Sequence, residues 1–229
     1  MIVLGFDTAT AATAVGLLHT AVAGHEAELR HDPQPGERPG HGPMLLRLAH
    51  ELLAPRGLSF GDVERFAVGL GPGGFTGLRI GVATARALAQ AAEAELVGVS
   101  TLEALAASAE PAAGQGVLAV VDARRGEVFA AGWRDGEQVL DTVAVAPAGA
   151  GALAGPGWLA VGDGAIRFRD ELQAAGCDVP PDGAPQHAVS ALMICRLAAR
   201  APRGTQRELV VPDYLRKPDA VLARPRPKP

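Results

Sequence analysis

Cysteine is scarce. Cys177 and Cys195 are the only two, too few for a disulfide framework, and neither has partners at zinc-ligand spacing. No apolar run is long enough to span a membrane, and the strand-like MIVLGF at the start has none of the marks of a secretory leader. The expected compartment is a reducing cytoplasm. Lysine occurs only at Lys217 and Lys228, and the net charge is −4. That balance excludes a dedicated nucleic-acid binder, whose affinity would rest on a basic footprint. Hydrolytic motifs are missing too. His41 and His50 are nine positions apart with Pro43 between them, so no helical histidine pair can hold zinc. Gly98-Val99-Ser100 is followed by Thr101-Leu102 and does not complete a serine-hydrolase elbow.

What the chain does have is a glycine-rich block, VGLGPGGFTGLRIGVATARALAQAA, over Val68–Ala92. An apolar strand signal runs into a loop with Gly69, Gly71, Gly73, Gly74 and Gly77, then into a helix-forming segment. Strand, glycine loop and helix in that order put backbone N–H groups at a helix N-terminus, where an anion could sit. The same pattern also serves as a tight strand-to-helix turn. Gly69-x-Gly71-x-x-Gly74 satisfies the loose dinucleotide pattern, but the next strand, Glu95–Val99, ends in Ser100-Thr101 rather than an acid. Phe75 stands where a P-loop needs lysine. Gly81, Ala83, Ala85, Ala87, Ala89, Ala91 and Ala92 leave the helix nearly smooth, suited either to burial in its own domain or to close approach by another helix.

The first strand, Met1–Phe6, ends at Asp7 and turns through Thr8, Thr10 and Thr13 into Ala14–Leu18. At such a turn an acid can meet metal-phosphate or bond its own backbone. A third strand fits Ala21–Leu29, and His31–Gly42 reads as loop. Met44–Leu53 has helical spacing, with Leu46 off its apolar stripe. After Glu95–Val99 a helix fits Leu102–Ala109, capped by Ser100 or Thr101. Glu110–Gly116 is the domain boundary, and beyond it the plan restarts with Val117–Val121, Asp122, a turn, and Glu127–Trp133. Two halves that open alike indicate a duplicated fold. Val139–Val145 extends the second sheet, Pro147–Gly157 reads as loop, and Trp158–Val161 as strand. Helices are expected over Ile166–Ala175 and Ala188–Arg200. Asp163, between two glycines, reads as a turn residue. Arg196, Arg200, Arg203 and Arg207 would form a basic strip only if Pro202 and Gly204 did not interrupt it.

DTAT, GLGPGGFTGLRIGVATARALA, GVSTLEALA, VVDARRGEVFAAGW, VGDGA and PDYLR, in this order, resemble the TsaB (YeaZ) family over nearly the whole chain. The resemblance implies an α/β, actin-like ASKHA (RNase H-like) fold of two lobes, mixed sheets flanked by helices. The expected division is an N-terminal lobe over 1–110, a C-terminal lobe over 111–219 and a disordered tail over 220–229. It also implies a cytoplasmic, non-catalytic subunit of the machinery that makes threonylcarbamoyladenosine beside the anticodon of tRNAs reading codons that begin with A. In that family the subunit pairs with the threonylcarbamoyl transferase TsaD and works with TsaE, an ATPase. ATP and Mg would be used by those partners with no cofactor held tightly by this chain, and tRNA would be met only through the complex. A homodimer is the expected alternative for the isolated chain.

The docking helices implied are Met44–Leu53 and Thr76–Ala91. Helix spacing then assigns the shared face to Met44, Leu45, Leu48, Leu52, Leu78, Val82, Ala85 and Leu88. His41 lies in Pro39-Gly40-His41-Gly42-Pro43, which departs from the family's entry to the first helix, and Ala9 replaces the glycine of the kinase phosphate turn. The alternative activity is a weak ATPase or sugar-kinase-like phosphotransferase using Asp7, Asp122 and the Gly71–Gly77 loop. Its vestigial phosphate site would comprise Asp7, Gly71, Gly73, Gly74 and Asp122. A peptidase reading is opposed by the absent metal motif.

Overall fold

The computed structural model describes residues 1–22, 24–34, 36–202 and 207–216. Arg203 and Gly204 of the interrupted strip, Lys217 and the tail 220–229 lie outside the described residues. The first sheet is built from β1 (Ile2–Asp7), β2 (Thr13–His19), β3 (Ala27–His31), β4 (Arg65–Gly69) and β5 (Glu95–Val99) in the order β3-β2-β1-β4-β5. β2 runs antiparallel to β1 and β3, while β4 and β5 run parallel to β1. The parallel steps are crossed by α1 (His41–Leu53) and α2 (Phe75–Ala91), as parallel pairing requires. The second sheet contains β6 (Gly116–Arg124), β7 (Glu127–Arg134), β8 (Glu137–Val145) and β9 (Trp158–Val161), in the order β8-β7-β6-β9. β6 is antiparallel to β7 and parallel to β9. The plan of the first four strands therefore recurs, and Asp7 and Asp122 fall at matching places in the opening hairpins.

Side-chain alternation sorts β1 between two layers. Leu4 and Phe6 pack with Leu45, Leu48, Leu52 and Val82 of α1 and α2. Val3 belongs instead to a core between the sheets, with Leu102 and Leu105 of α3 (Thr101–Ala107) and Ile194 of α7 (Ala191–Arg200). α7 comes close to the first sheet because glycines face it. A Cβ at Gly5 would lie 2.6 Å from the Cys195 sulfur, and one at Gly16 would lie 2.5 Å from the Ala191 backbone. Dividing the chain at residue 110 thus separates the strands of the two sheets but leaves α7 on the first. Its N-terminus is held from the sheet: the Glu28 carboxylate accepts from Ser190 Oγ and from the N–H groups of Ala191 and Leu192. Behind the second sheet a third core joins Leu118, Val120 and Trp158 to Ala150, Ala165 and Leu172.

Several expected elements shift. The third strand is Ala27–His31 rather than Ala21–Leu29. α1 begins at His41, with Pro43 in its first turn where no intrahelical N–H is needed. Pro147–Ala154, read as loop, is helix α4, started by a proline at its first turn. Its Gly151 lets the neighbouring helix approach, since a Cβ there would lie 2.7 Å from that of Ala175. The single helix expected over Ile166–Ala175 is two, α5 (Asp163–Arg167) and α6 (Arg169–Ala174), broken at Phe168. Ser190 caps α7 by accepting from the Met193 N–H, so that helix starts three residues later than the spacing suggested.

Candidate functional site: the cleft between the sheets

The glycine block folds as a packing device. Gly74 N–H donates to the Ala9 carbonyl at 2.7 Å, binding the loop before α2 to the β1–β2 turn. A Cβ at Gly73 would lie 2.3 Å from the Ala9 carbonyl oxygen, and one at Gly77 would lie 2.0 Å from that of Thr8. Thr8 Oγ1 donates to the Gly77 carbonyl at 2.8 Å, closing the contact from the other side. Small residues are needed here because two stretches of backbone touch.

Asp7 lies beneath this contact and is 1% exposed. It accepts from the Ala9 N–H at 2.9 Å and from Thr101 Oγ1 at 2.8 Å. Burial raises its pKa to about 6, against the lowering effect of those two bonds. Because the folded-state value lies above the unfolded one, the stability Asp7 contributes is full below about pH 4 and is lost as pH rises through about 6. Asp7→Asn should remove that pH dependence. Between pH 4 and 7.5, urea titrations should show wild type losing up to roughly 3 kcal/mol that the variant keeps. Equal pH profiles for the two proteins would contradict the assignment.

Above Asp7 opens a cleft of about 600 Å³ between the lobes. One wall carries Ala9, Thr10, Gly73, Gly74, Thr76 and His41; the other carries Asp122, Arg124, Phe129 and Asp163, with Tyr214 and Arg216 beside them. His41 is 5% exposed, its Nδ1 is 2.9 Å from Thr13 Oγ1, and burial lowers its pKa. Across the cleft Asp163 Oδ1 accepts from the Asp122 N–H, and burial raises the Asp163 pKa. The Asp122 carboxylate is engaged by the Arg124 N–H and by the Arg124 and Arg167 guanidinium groups. Both carboxylates thus spend oxygens on the protein's own donors. Among the described residues, no three His, Cys, Asp or Glu side chains gather where they could hold a metal ion.

Of the five residues assigned to a vestigial phosphate site, Gly73, Gly74 and Asp122 line the cleft. Asp7 and Gly71 do not: Asp7 is consumed beneath the loop, and Gly71 is buried with its N–H donating to Thr101 Oγ1. The docking residues need a larger correction. Leu45, Leu48, Leu52, Leu78, Val82 and Ala85 are all buried in the chain's own core. Helix spacing identified the apolar face rightly, but that face meets the first sheet. Met44 and Leu88 are half-buried. The outward surface of the two helices carries instead Leu46, 46% exposed, beside Arg47, His50 and Glu51 on α1, and Thr76, Ala83 and Ala87 beside Arg79 and Gln90 on α2.

Sequence reading also missed Thr101, taken as a helix cap, as the partner of Asp7. It assigned no role to Tyr214 and Arg216, whose only signal was their place in PDYLR. Arg196 pairs with Glu26, and Arg207 donates to the Ala94 carbonyl, so these arginines serve separate contacts rather than a strip.

Two α/β lobes of repeated plan, closed over a cleft, define an actin-like ASKHA protein. Residues 38–150 match the family described as TsaD, tRNA N6-adenosine threonylcarbamoyltransferase. The Escherichia coli tRNA threonylcarbamoyladenosine biosynthesis protein TsaB is 40% identical over 130 residues, 56% of this chain and 53% of that protein. An uncharacterized Mycobacterium tuberculosis protein is 31% identical over 236 residues, covering 95% of this chain and 93% of its own length. YeaZ from Pseudomonas aeruginosa superposes with a TM-score of 0.74 at 26% identity, over 93% of this chain and 100% of that one. The chain belongs to the TsaB/YeaZ family. It spans about half the length of the first curated relatives it matches. No helix among the described residues is long and apolar enough to cross a membrane.

Proposed function

We propose that this chain is a cytoplasmic subunit of the machinery that makes threonylcarbamoyladenosine in tRNA, where it pairs with a TsaD-type transferase and contributes no bond-making group of its own. Family membership supports the pathway. The observation that carries the non-catalytic role is the burial of Asp7, with one carboxylate oxygen bonded to its own turn and the other to Thr101. An acid so engaged has no oxygen facing a phosphate in the cleft. ATP and Mg are then handled by the transferase and by TsaE, and tRNA is met through the complex.

The match of residues 38–150 to the transferase family supports pairing of two like lobes. We assign the docking surface to the outward side of α1 and α2, through Leu46, Thr76, Ala83 and Ala87, where small side chains let a partner helix approach. A second copy of this chain would use the same surface when no partner is present.

Leu46→Glu and Ala83→Glu, both at exposed positions, are expected to weaken pairing with TsaD by about a hundredfold while leaving circular dichroism unchanged. Pairing that survives both changes removes the assigned surface. Modification of tRNA by TsaD and TsaE with their threonylcarbamoyl-adenylate supply should require this chain, which alone should hydrolyse no ATP. Hydrolysis by the isolated chain would overturn the non-catalytic reading.

A further inference from the structure

Residues 207–216 run along α2 and then cross the mouth of the cleft. Arg86 donates to the carbonyls of Arg207 and Glu208, and Val210 is buried against the α1–α2 core. At the first lobe the Asp213 N–H donates to the Leu70 carbonyl at 2.8 Å. The Tyr214 ring lies 5.2 Å from that of Phe75, and its hydroxyl accepts from Arg79 Nε at 3.1 Å. Two residues later the chain grips the other lobe: Arg216 Nη1 donates to the Ala123 carbonyl at 2.9 Å, and its guanidinium pairs with Glu127 and lies over Phe129. The lobes also meet through the apolar core around α3, where Leu102 and Leu105 pack with Val117 and Val121.

We propose that Asp213–Arg216 is a releasable strap that fixes the separation of the lobes and hence the opening of the cleft. Its two ends differ in kind. The Tyr214 end is an aromatic and backbone anchor on α2. The Arg216 end adds to its Ala123 carbonyl and Phe129 contacts an ion pair whose members keep 28% and 44% of their side-chain surface exposed, so salt and competing anions can reach it. Release would start at Arg216 and leave the segment attached along α2.

The test is hydrogen exchange of the full chain read by mass spectrometry, comparing wild type with Arg216→Ala and with Glu127→Gln, which cuts the same tie from the opposite lobe. Both variants should speed exchange of the Ala123–Phe129 hairpin and of residues 213–216 by roughly tenfold, with β1, β4 and α7 unchanged. Salt at about 1 M should move wild type toward the variants and leave the variants unaffected. Spin labels on cysteines placed at Glu51 and Gln138, one per lobe, should report a broader distance distribution in both variants. Unchanged exchange and distances in both variants overturn the strap. Acceleration throughout the chain also overturns it, because Arg216 would then be a general stability contact.

Discussion

Arg65→Met should destabilise the protein by about 3 kcal/mol, the largest loss expected from a single side chain here. Arg65 is 1% exposed at the start of β4, yet it carries a charge. Its guanidinium pairs with Glu95 through Nε at 2.8 Å and through Nη2. Nη1 donates to the carbonyls of Ala198 and Ala201 at 2.6 and 3.0 Å. Those carbonyls lie at the end of α7, where helix geometry leaves acceptors without intrahelical partners and where a cation is favoured. Removing Arg65 strands both carbonyls and half of a largely buried ion pair at once. Glu95 keeps 30% of its side chain exposed, so water recovers part of its loss, which sets the figure at the lower end for a broken buried pair. Arg65→Lys keeps the charge but cannot make the forked contacts, and should cost roughly half as much. Urea unfolding of the three proteins measures this. A loss below about 1 kcal/mol for the methionine variant would mean that α7 is held by its apolar face alone.

Gly77→Ala is expected to destabilise by about 2 kcal/mol or more, although the same change in an ordinary helix stabilises by about 1 kcal/mol. The sign is decided by what the new methyl meets. A Cβ at Gly77 falls 2.0 Å from the Thr8 carbonyl oxygen and 3.1 Å from His41 Nε2. Thr8 is backbone in the turn after β1 and is tied to the same helix turn by its own hydroxyl. Relief therefore requires moving α2 away from the sheet, which opens the core around Val68 and Val82. The exposed position Ala83 supplies the control: Ala83→Gly should lose only the propensity difference. If Gly77→Ala proves as stable as wild type, the close contact between turn and helix does not exist in solution.

The fold was legible in this sequence wherever periodicity or punctuation was strong. The apolar runs of β1 and β2, the glycine block and the restart at Val117 each reported a local constraint that the tertiary structure kept. α4 was illegible because Pro147-Ala148-Gly149-Ala150-Gly151 has the composition of a loop; only the close approach of Ala175 makes a glycine there useful. The docking residues failed for a different reason. An apolar stripe states that a face is covered without saying by what, and here the chain's own first sheet covers it. Leu46, off the stripe, is the leucine of that helix left exposed. Asp7 was visible as an acid at a turn, but its partner Thr101 is 94 positions away in sequence, and no local pattern joins them.

The return of α7 to the first sheet has a consequence for synthesis. A nascent chain that has emerged as far as Val99 already holds every strand of that sheet, in a compact run of local pairings. One side of it is covered by α1 and α2, whereas the floor formed by Val3, Gly5, Gly16 and Ala67 stays bare until residues 191–200 have been translated. The second lobe, by contrast, finds α4, α5 and α6 within its own stretch of sequence. The half made first is therefore finished last, and on the ribosome it is the N-terminal sheet that presents an apolar surface to chaperones.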